Sequence, residues 1–153
     1  MEEISALVTQ FRNAIDIARE KGDFSKDICF REFPRACCGD TSDLLAHYLL
    51  QNVIQTDYVC GNYYGDPEGG WQSHAWLELK NGIIIDITGD QFKYNELLLN
   101  YDIPVYIGEM DEFHALFEVE ERDVRKAVTI DKLGDFTYPR LKRLYDIIID
   151  CMI

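Results

Sequence analysis

The dipeptide Asn81-Gly82 constrains this chain more than any other feature, because strand-forming residues flank it on both sides. Gln72 to Lys80 and Ile83 to Thr88 are the two runs, and Asn-Gly between such runs is the strongest short-range hairpin signal. The register follows from what each option buries. A two-residue loop pairs Lys80 with Ile83 and sets Asp86 opposite Leu77, which puts a carboxylate into a face otherwise made of Ala75, Leu77, Leu79 and Ile84. A three-residue connection, Lys80-Asn81-Gly82, is a type I turn with Gly82 left-handed in a G1 bulge, and it pairs Leu79 with Ile83. Ala75, Leu77, Leu79, Ile83, Ile85 and Ile87 then share one wholly apolar face. His74, Trp76, Glu78, Ile84, Asp86 and Thr88 share the other, with Asp86 opposite Trp76 and diagonal to His74, roughly 7 to 8 Å away at the backbone. The apolar pattern alone therefore predicts that His74 and Asp86 meet.

A second constraint lies upstream, in Pro34-Arg35-Ala36-Cys37-Cys38-Gly39-Asp40-Thr41-Ser42-Asp43-Leu44-Leu45. Leu44, Leu45, Tyr48 and Leu49 recur at helical spacing, so a helix is predicted from about Cys38 to Gln51, with two thiols at its start. A helix N-terminus offers unpaired N–H groups and a partial positive charge, both of which favour thiolate over thiol. A thiol nucleophile also needs a base, and the base needs a partner that fixes its tautomer. Cys38, His74 and Asp86 fit these roles. His47 on the same helix and His114 among Phe113, Leu116 and Phe117 read as structural or packed histidines.

The rest of the chain supplies a frame. Ile4, Leu7, Val8, Phe11, Ala14, Ile15 and Ala18 form an amphipathic stripe over residues 2 to 20, closed by Gly22. Residues 56 to 64 read as a strand and Gly65 to Gly70 as a loop, while Pro104 marks 103 to 107 as an edge strand. Residues 94 to 101 read as a short helix or loop, and 109 to 135 show no clear period. Pro139 opens a last helix through Leu141, Leu144, Tyr145, Ile148 and Cys151. At 153 residues a single domain, 1 to 153, is expected, of α+β class with the Cys-bearing helix packed on an antiparallel sheet.

Composition removes several alternatives. A net charge of −13 repels phosphate backbones and anionic lipid, so neither nucleic acid nor a membrane is an expected partner. No segment approaches the roughly 20 apolar residues of a membrane span. Met1-Glu2-Glu3 is acidic and runs straight into the first amphipathic pattern, unlike a secretory signal, so a cytoplasmic location is expected. Five cysteines, an odd number without C-x-x-C spacing, argue for free thiols.

The stretches Cys38-Gly39-Asp40-Thr41-Ser42-Asp43-Leu44, Tyr58-Val59-Cys60-Gly61-Asn62-Tyr63, Ser73-His74-Ala75-Trp76-Leu77-Glu78 and Ile85-Asp86-Ile87-Thr88 together resemble the transglutaminase-like branch of the papain-like cysteine enzymes. The resemblance covers about residues 34 to 92. It implies a papain-like core and a Cys38-His74-Asp86 triad with Cys38, not Cys37, as the nucleophile. It further implies thioacyl chemistry on a peptide, protein or small amide substrate, without cofactor or metal. Family members have a longer connection between the His and Asp strands, so the tight hairpin here implies a minimal domain. The Cys38 N–H would be one oxyanion donor, with Gln72 or a backbone group near Tyr63 as candidates for the other. Two rivals keep the fold: a catalytically silent binding module using the Gly65 to Gly70 loop and Trp71, and a metal site with Cys38, His74 and Asp86 as ligands.

Overall fold

Gly82 adopts a left-handed φ of +86°, the conformation that a G1 bulge demands and that costs glycine nothing. Its N–H donates to the Leu79 carbonyl at 2.8 Å, and the Leu79 N–H donates to the Ile83 carbonyl at 2.8 Å. The hairpin of the computed structural model, which describes residues Met1 to Met152, therefore has the three-residue connection and pairs Leu77 with Ile85 and Glu78 with Ile84.

Around it the chain is an α+β fold with three α-helices and a five-stranded antiparallel sheet. The helices are α1 (Glu2–Glu20), α2 (Cys38–Gln51) and α3 (Tyr138–Asp150). The strands are β1 (Asp57–Tyr63), β2 (Gln72–Glu78), β3 (Ile84–Asp86), β4 (Tyr106–Gly108) and β5 (Val124–Lys126), in the order β4-β3-β2-β1-β5. The central β2 thus carries His74 and its neighbour β3 ends on Asp86.

The three helices cover one face of the sheet. Phe11 and Ile15 of α1, Leu44 and Leu49 of α2, and Leu144 and Ile148 of α3 join Leu77, Ile85 and Ile87 in one core. Each such side chain contributes about 1.5–3 kcal/mol by leaving water. The polar-bearing face is not left to solvent. Residues 88 to 117 fold over it in short 3-10 turns and bring Phe92, Leu98, Tyr101, Phe113 and Phe117 against Val59, Trp76 and Ile84. Gly89 permits this cover to close, since a Cβ there would sit 2.6 Å from the Tyr101 ring.

Several predicted elements differ in detail. The edge strand β4 begins two residues after Pro104, where backbone donors become available for pairing with β3. The stretch from 109 to 135 resolves into short turns and the edge strand β5, which pairs with β1 although its own side chains are exposed. Such segments carry no apolar period for a sequence reading to detect. All five cysteines are free. No helix among the described residues is long and apolar enough to cross a membrane.

One buried charge ties the layers together. Arg12 of α1 donates to the carbonyls of Ile87 and Pro104 at 2.7 and 3.0 Å, holds Asp90 at 2.8 Å, and pairs with Asp16 at 3.1 Å. Every edge of its guanidinium is thereby used, which is what a buried arginine requires.

Candidate active site

The β2–β3 pairing places His74 and Asp86 on one face, and their side chains close the diagonal gap. His74 Nε2 lies 2.7 Å from Asp86 Oδ2, with both residues almost fully buried. Thr88 donates its backbone N–H to Asp86 Oδ1 at 2.9 Å, and its hydroxyl lies 3.5 Å from the same oxygen. The rings of Trp76, Phe92, Phe113 and Phe117 surround the imidazole at centroid distances of 5.1 to 5.7 Å. This apolar jacket makes each polar contact inside it electrostatically strong.

Cys38 is the first residue of α2, with Cys37 as its N-cap. Its thiol interacts with His74 and with the backbone N–H of Ala75, both of which favour its ionised form. Asp86 occupies Nε2, so Nδ1 is the nitrogen left for the thiol. The Gln91 amide nitrogen stands 3.4 Å from that same Nδ1 and is anchored by donating to the Thr88 carbonyl at 3.0 Å. The three residues singled out by sequence are thus brought together in the order thiol, imidazole, carboxylate.

Electrostatics separates the two adjacent thiols. Burial is the largest influence on Cys38 and pushes it up. The hydrogen bond and charge of His74 and the Ala75 N–H outweigh burial and Asp86, so the thiol titrates below its ordinary value. Burial likewise pulls His74 down, but the charge and hydrogen bond of Asp86, aided by Cys38, raise it to about 9. Asp86 is pushed up by burial and held below the usual carboxylate range by His74 and His114. Cys37 has no such partners: burial, and then nearby Cys29, Asp40 and Cys38, push its thiol up to about 12. Its sulfur faces the carbonyls of Cys29 and Arg35 at 3.1 and 3.2 Å. Cys37 is a packed thiol held protonated by burial, and Cys38 is the one of the two whose thiolate its neighbours favour.

His114 is the residue that sequence reading missed. Fully buried, it places Nε2 at 2.7 Å from Asp86 Oδ2 and Nδ1 at 2.6 Å from Asp111 Oδ1. Asp111 in turn accepts the His114 backbone N–H at 2.8 Å and the Tyr101 hydroxyl at 3.0 Å. One oxygen of Asp86 therefore serves two imidazoles. For it to accept from both, each ring must carry hydrogen at Nε2, and the short Nδ1 contact of His114 needs a further proton between Nδ1 and Asp111. The usable signal was the spacing Asp111-x-x-His114, in which the Asp111 side chain accepts the N–H three residues on.

Other sequence candidates fall elsewhere. Gln72 accepts from the Asn95 side chain at 2.9 Å. His47 accepts the Ile130 N–H at 3.0 Å and packs edge-on against Tyr145, so it fastens α2 to α3. The one grouping among the described residues whose ligand atoms lie close enough to hold a metal is His74, Asp86 and His114, within 4.8 Å of one another. It does not include Cys38, so the metal reading with Cys38 as a ligand has no counterpart, and the hydrogen bonds already described account for each nitrogen.

The arrangement can deprotonate a thiol, hold the resulting imidazolium against a carboxylate and return the proton to a leaving group. A scan against protein-family models gives no match for the chain, and comparisons with curated proteins and with solved structures give none either.

Proposed function

We propose that this chain is a cysteine hydrolase or acyltransferase of the transglutaminase-like, papain-like kind, acting on an amide or peptide bond. The single observation that carries the reading is the His74 ring. It is held by Asp86 at 2.7 Å on one side, and it interacts with the Cys38 thiol at the start of α2, favouring the thiolate. In this mechanism Cys38 thiolate attacks the carbonyl carbon and the carbonyl π pair moves to oxygen. The Cys38 N–H, which has no intrahelical acceptor at this position, supports that oxyanion. His74 gives the proton it took from the thiol to the departing amine, and Asp86 keeps the imidazolium oriented. Water, deprotonated by His74, then cleaves the thioester and restores the thiol. Hydrolysis is favoured over transfer to an amine because the tight hairpin leaves few elements from which to build an acceptor site.

Profiling with electrophilic peptide and amide probes tests the reading. The parent protein and Cys37→Ala are expected to be labelled and to turn over a hit substrate, and Cys38→Ala is expected to do neither. Labelling lost in Cys37→Ala alone, or retained in Cys38→Ala, would overturn the assignment. Slow, uniform labelling of all five thiols would favour the silent binding module instead.

A further inference from the structure

We propose that the substrate carries negative charge beside the scissile bond, an acidic peptide segment being the chemical class that fits, and that Arg35 and Lys93 receive it. This rests on the thiol chemistry proposed above and adds the identity of what reaches it. The site of recognition is a cleft of about 350 Å³ between the loop that precedes α2 and the 3-10 turn that follows β3. Gln91 forms part of its wall and also stands 3.4 Å from His74 Nδ1, the nitrogen that faces the thiol. Arg35 lines it three residues before Cys38. The cleft thus adjoins the site through Gln91, and its Arg35 lies on the loop that leads into the Cys38 helix.

The charge of this cleft runs against that of the molecule. The protein as a whole is at −13, yet four of its 15 lysines and arginines, Arg12, Arg19, Arg35 and Lys93, line this one depression. Two of the four are already engaged. Arg12 is saturated by Asp90, Asp16 and two carbonyls, and Arg19 donates to the Phe33 carbonyl at 3.1 Å with Asp16 at 3.9 Å. Arg35 and Lys93 are exposed and have no ion-pair partner among the described residues, Lys93 resting 5.1 Å from the Tyr94 ring centre. Of the acids in the wall, Asp90 is neutralised by Arg12 and only Glu32 opposes the two free cations. An anionic segment therefore gains attraction here while the rest of the surface repels it, a pattern that concentrates one class of substrate at one place. Arginine adds a planar fork matched to a carboxylate, and the exposed Tyr94 ring adds an apolar wall for the intervening chain. The volume lies at the small end of ligand clefts and suits a short peptide segment.

Paired alkylation tests this without knowledge of the substrate. The rates of iodoacetate and iodoacetamide reaction at Cys38 are measured by mass spectrometry in the parent and in the exposed double variant Arg35→Gln/Lys93→Gln. The His74 imidazolium itself attracts iodoacetate, so the decisive quantity is the change in the ratio between the two proteins. Removing two nearby cations is expected to lower the iodoacetate-to-iodoacetamide ratio by about threefold or more at low salt, and by less at high salt. A hit peptide with acidic residues should lose kcat/KM in the double variant while a neutral analogue keeps it. An unchanged ratio, with Cys38 still labelled by iodoacetamide, overturns the anionic cleft and leaves the thiol chemistry standing. Failure of both reagents to label Cys38 in the folded parent removes both proposals.

Discussion

Replacing Asp86 by asparagine separates the thiol's activation from its mere position. Asp86 accepts from His74, from His114 and from the Thr88 N–H inside an almost dry pocket. An asparagine amide group cannot accept from both rings through one oxygen and keep Thr88 as well. Its NH2 group, turned toward an imidazole, needs Nε2 as an acceptor and so forces the wrong tautomer. The imidazolium that pairs with the Cys38 thiolate then loses its anion. One charge-assisted hydrogen bond is worth about 1.5–3 kcal/mol, and at about 1.4 kcal/mol per decade the reactive thiolate–imidazolium pair falls about 10- to 150-fold near neutral pH. The assay is the rate of iodoacetamide addition to Cys38 from pH 5 to 10, with a thermal melt alongside. The parent should react at a pH below the range of an ordinary thiol, near 8.5. The variant's reactive limb should move to higher pH. An identical pH profile in a variant that melts cooperatively would refute the view that Asp86 acts on sulfur through His74.

Three further outcomes are expected. His114→Leu leaves Asp86 and Asp111 without the ring between them and should cost about 3–5 kcal/mol in urea unfolding, while Cys38 alkylation at pH 7 changes less than tenfold because His74 keeps its own bond to Asp86. Acid should destabilise the protein in part through Asp86. Its folded value lies below the usual carboxylate range, so the unfolded chain takes up this proton first, near pH 3.9, and stability present above that value is lost as the pH falls through the folded one. The urea midpoint from pH 6 to 3 should accordingly fall less steeply in Asp86→Asn than in the parent. Arg12→Met strands Asp90 and the carbonyls of Ile87 and Pro104, the first of them buried, and should lower stability by about 3–5 kcal/mol by the same unfolding measurement.

Turn chemistry and face patterning made the hairpin legible. Only one register kept Asp86 off the apolar face, and that register is the one found between Leu77 and Ile85. The helix carrying Cys38 was equally legible, from Leu44, Leu45 and Leu49 at helical spacing. The 88 to 117 cover was not, because it is built from 3-10 turns whose aromatics follow no period, and the sheet face that it buries reads as half polar. His114 was hidden by the same cause. Among Phe113, Leu116 and Phe117 it looks like one more packed ring, and only the three-dimensional approach of Asp86 and Asp111 gives its nitrogens a role. Gln91 was silent for a different reason: a lone amide in a turn has no pattern, and its place beside His74 depends on how residues 88 to 92 coil back after β3.

The Arg12 guanidinium has a consequence for the order in which the molecule is made. It leaves the ribosome well before its acceptors, on a helix with no catalytic residue, since the carbonyls that receive it lie 75 and 92 positions later. Until Pro104 has emerged, α1 carries a hydrated charge on the face that must turn inward, so its docking waits for most of the chain. Such long-range closure slows folding. It also joins the turn bearing Asp90 and Gln91 to α1 in one cooperative unit, so amide protons over Ile87 to Gln91 should exchange with the same slow opening as those at the centre of α1. The turn that sets Gln91 beside His74 should thus open only when α1 lets go.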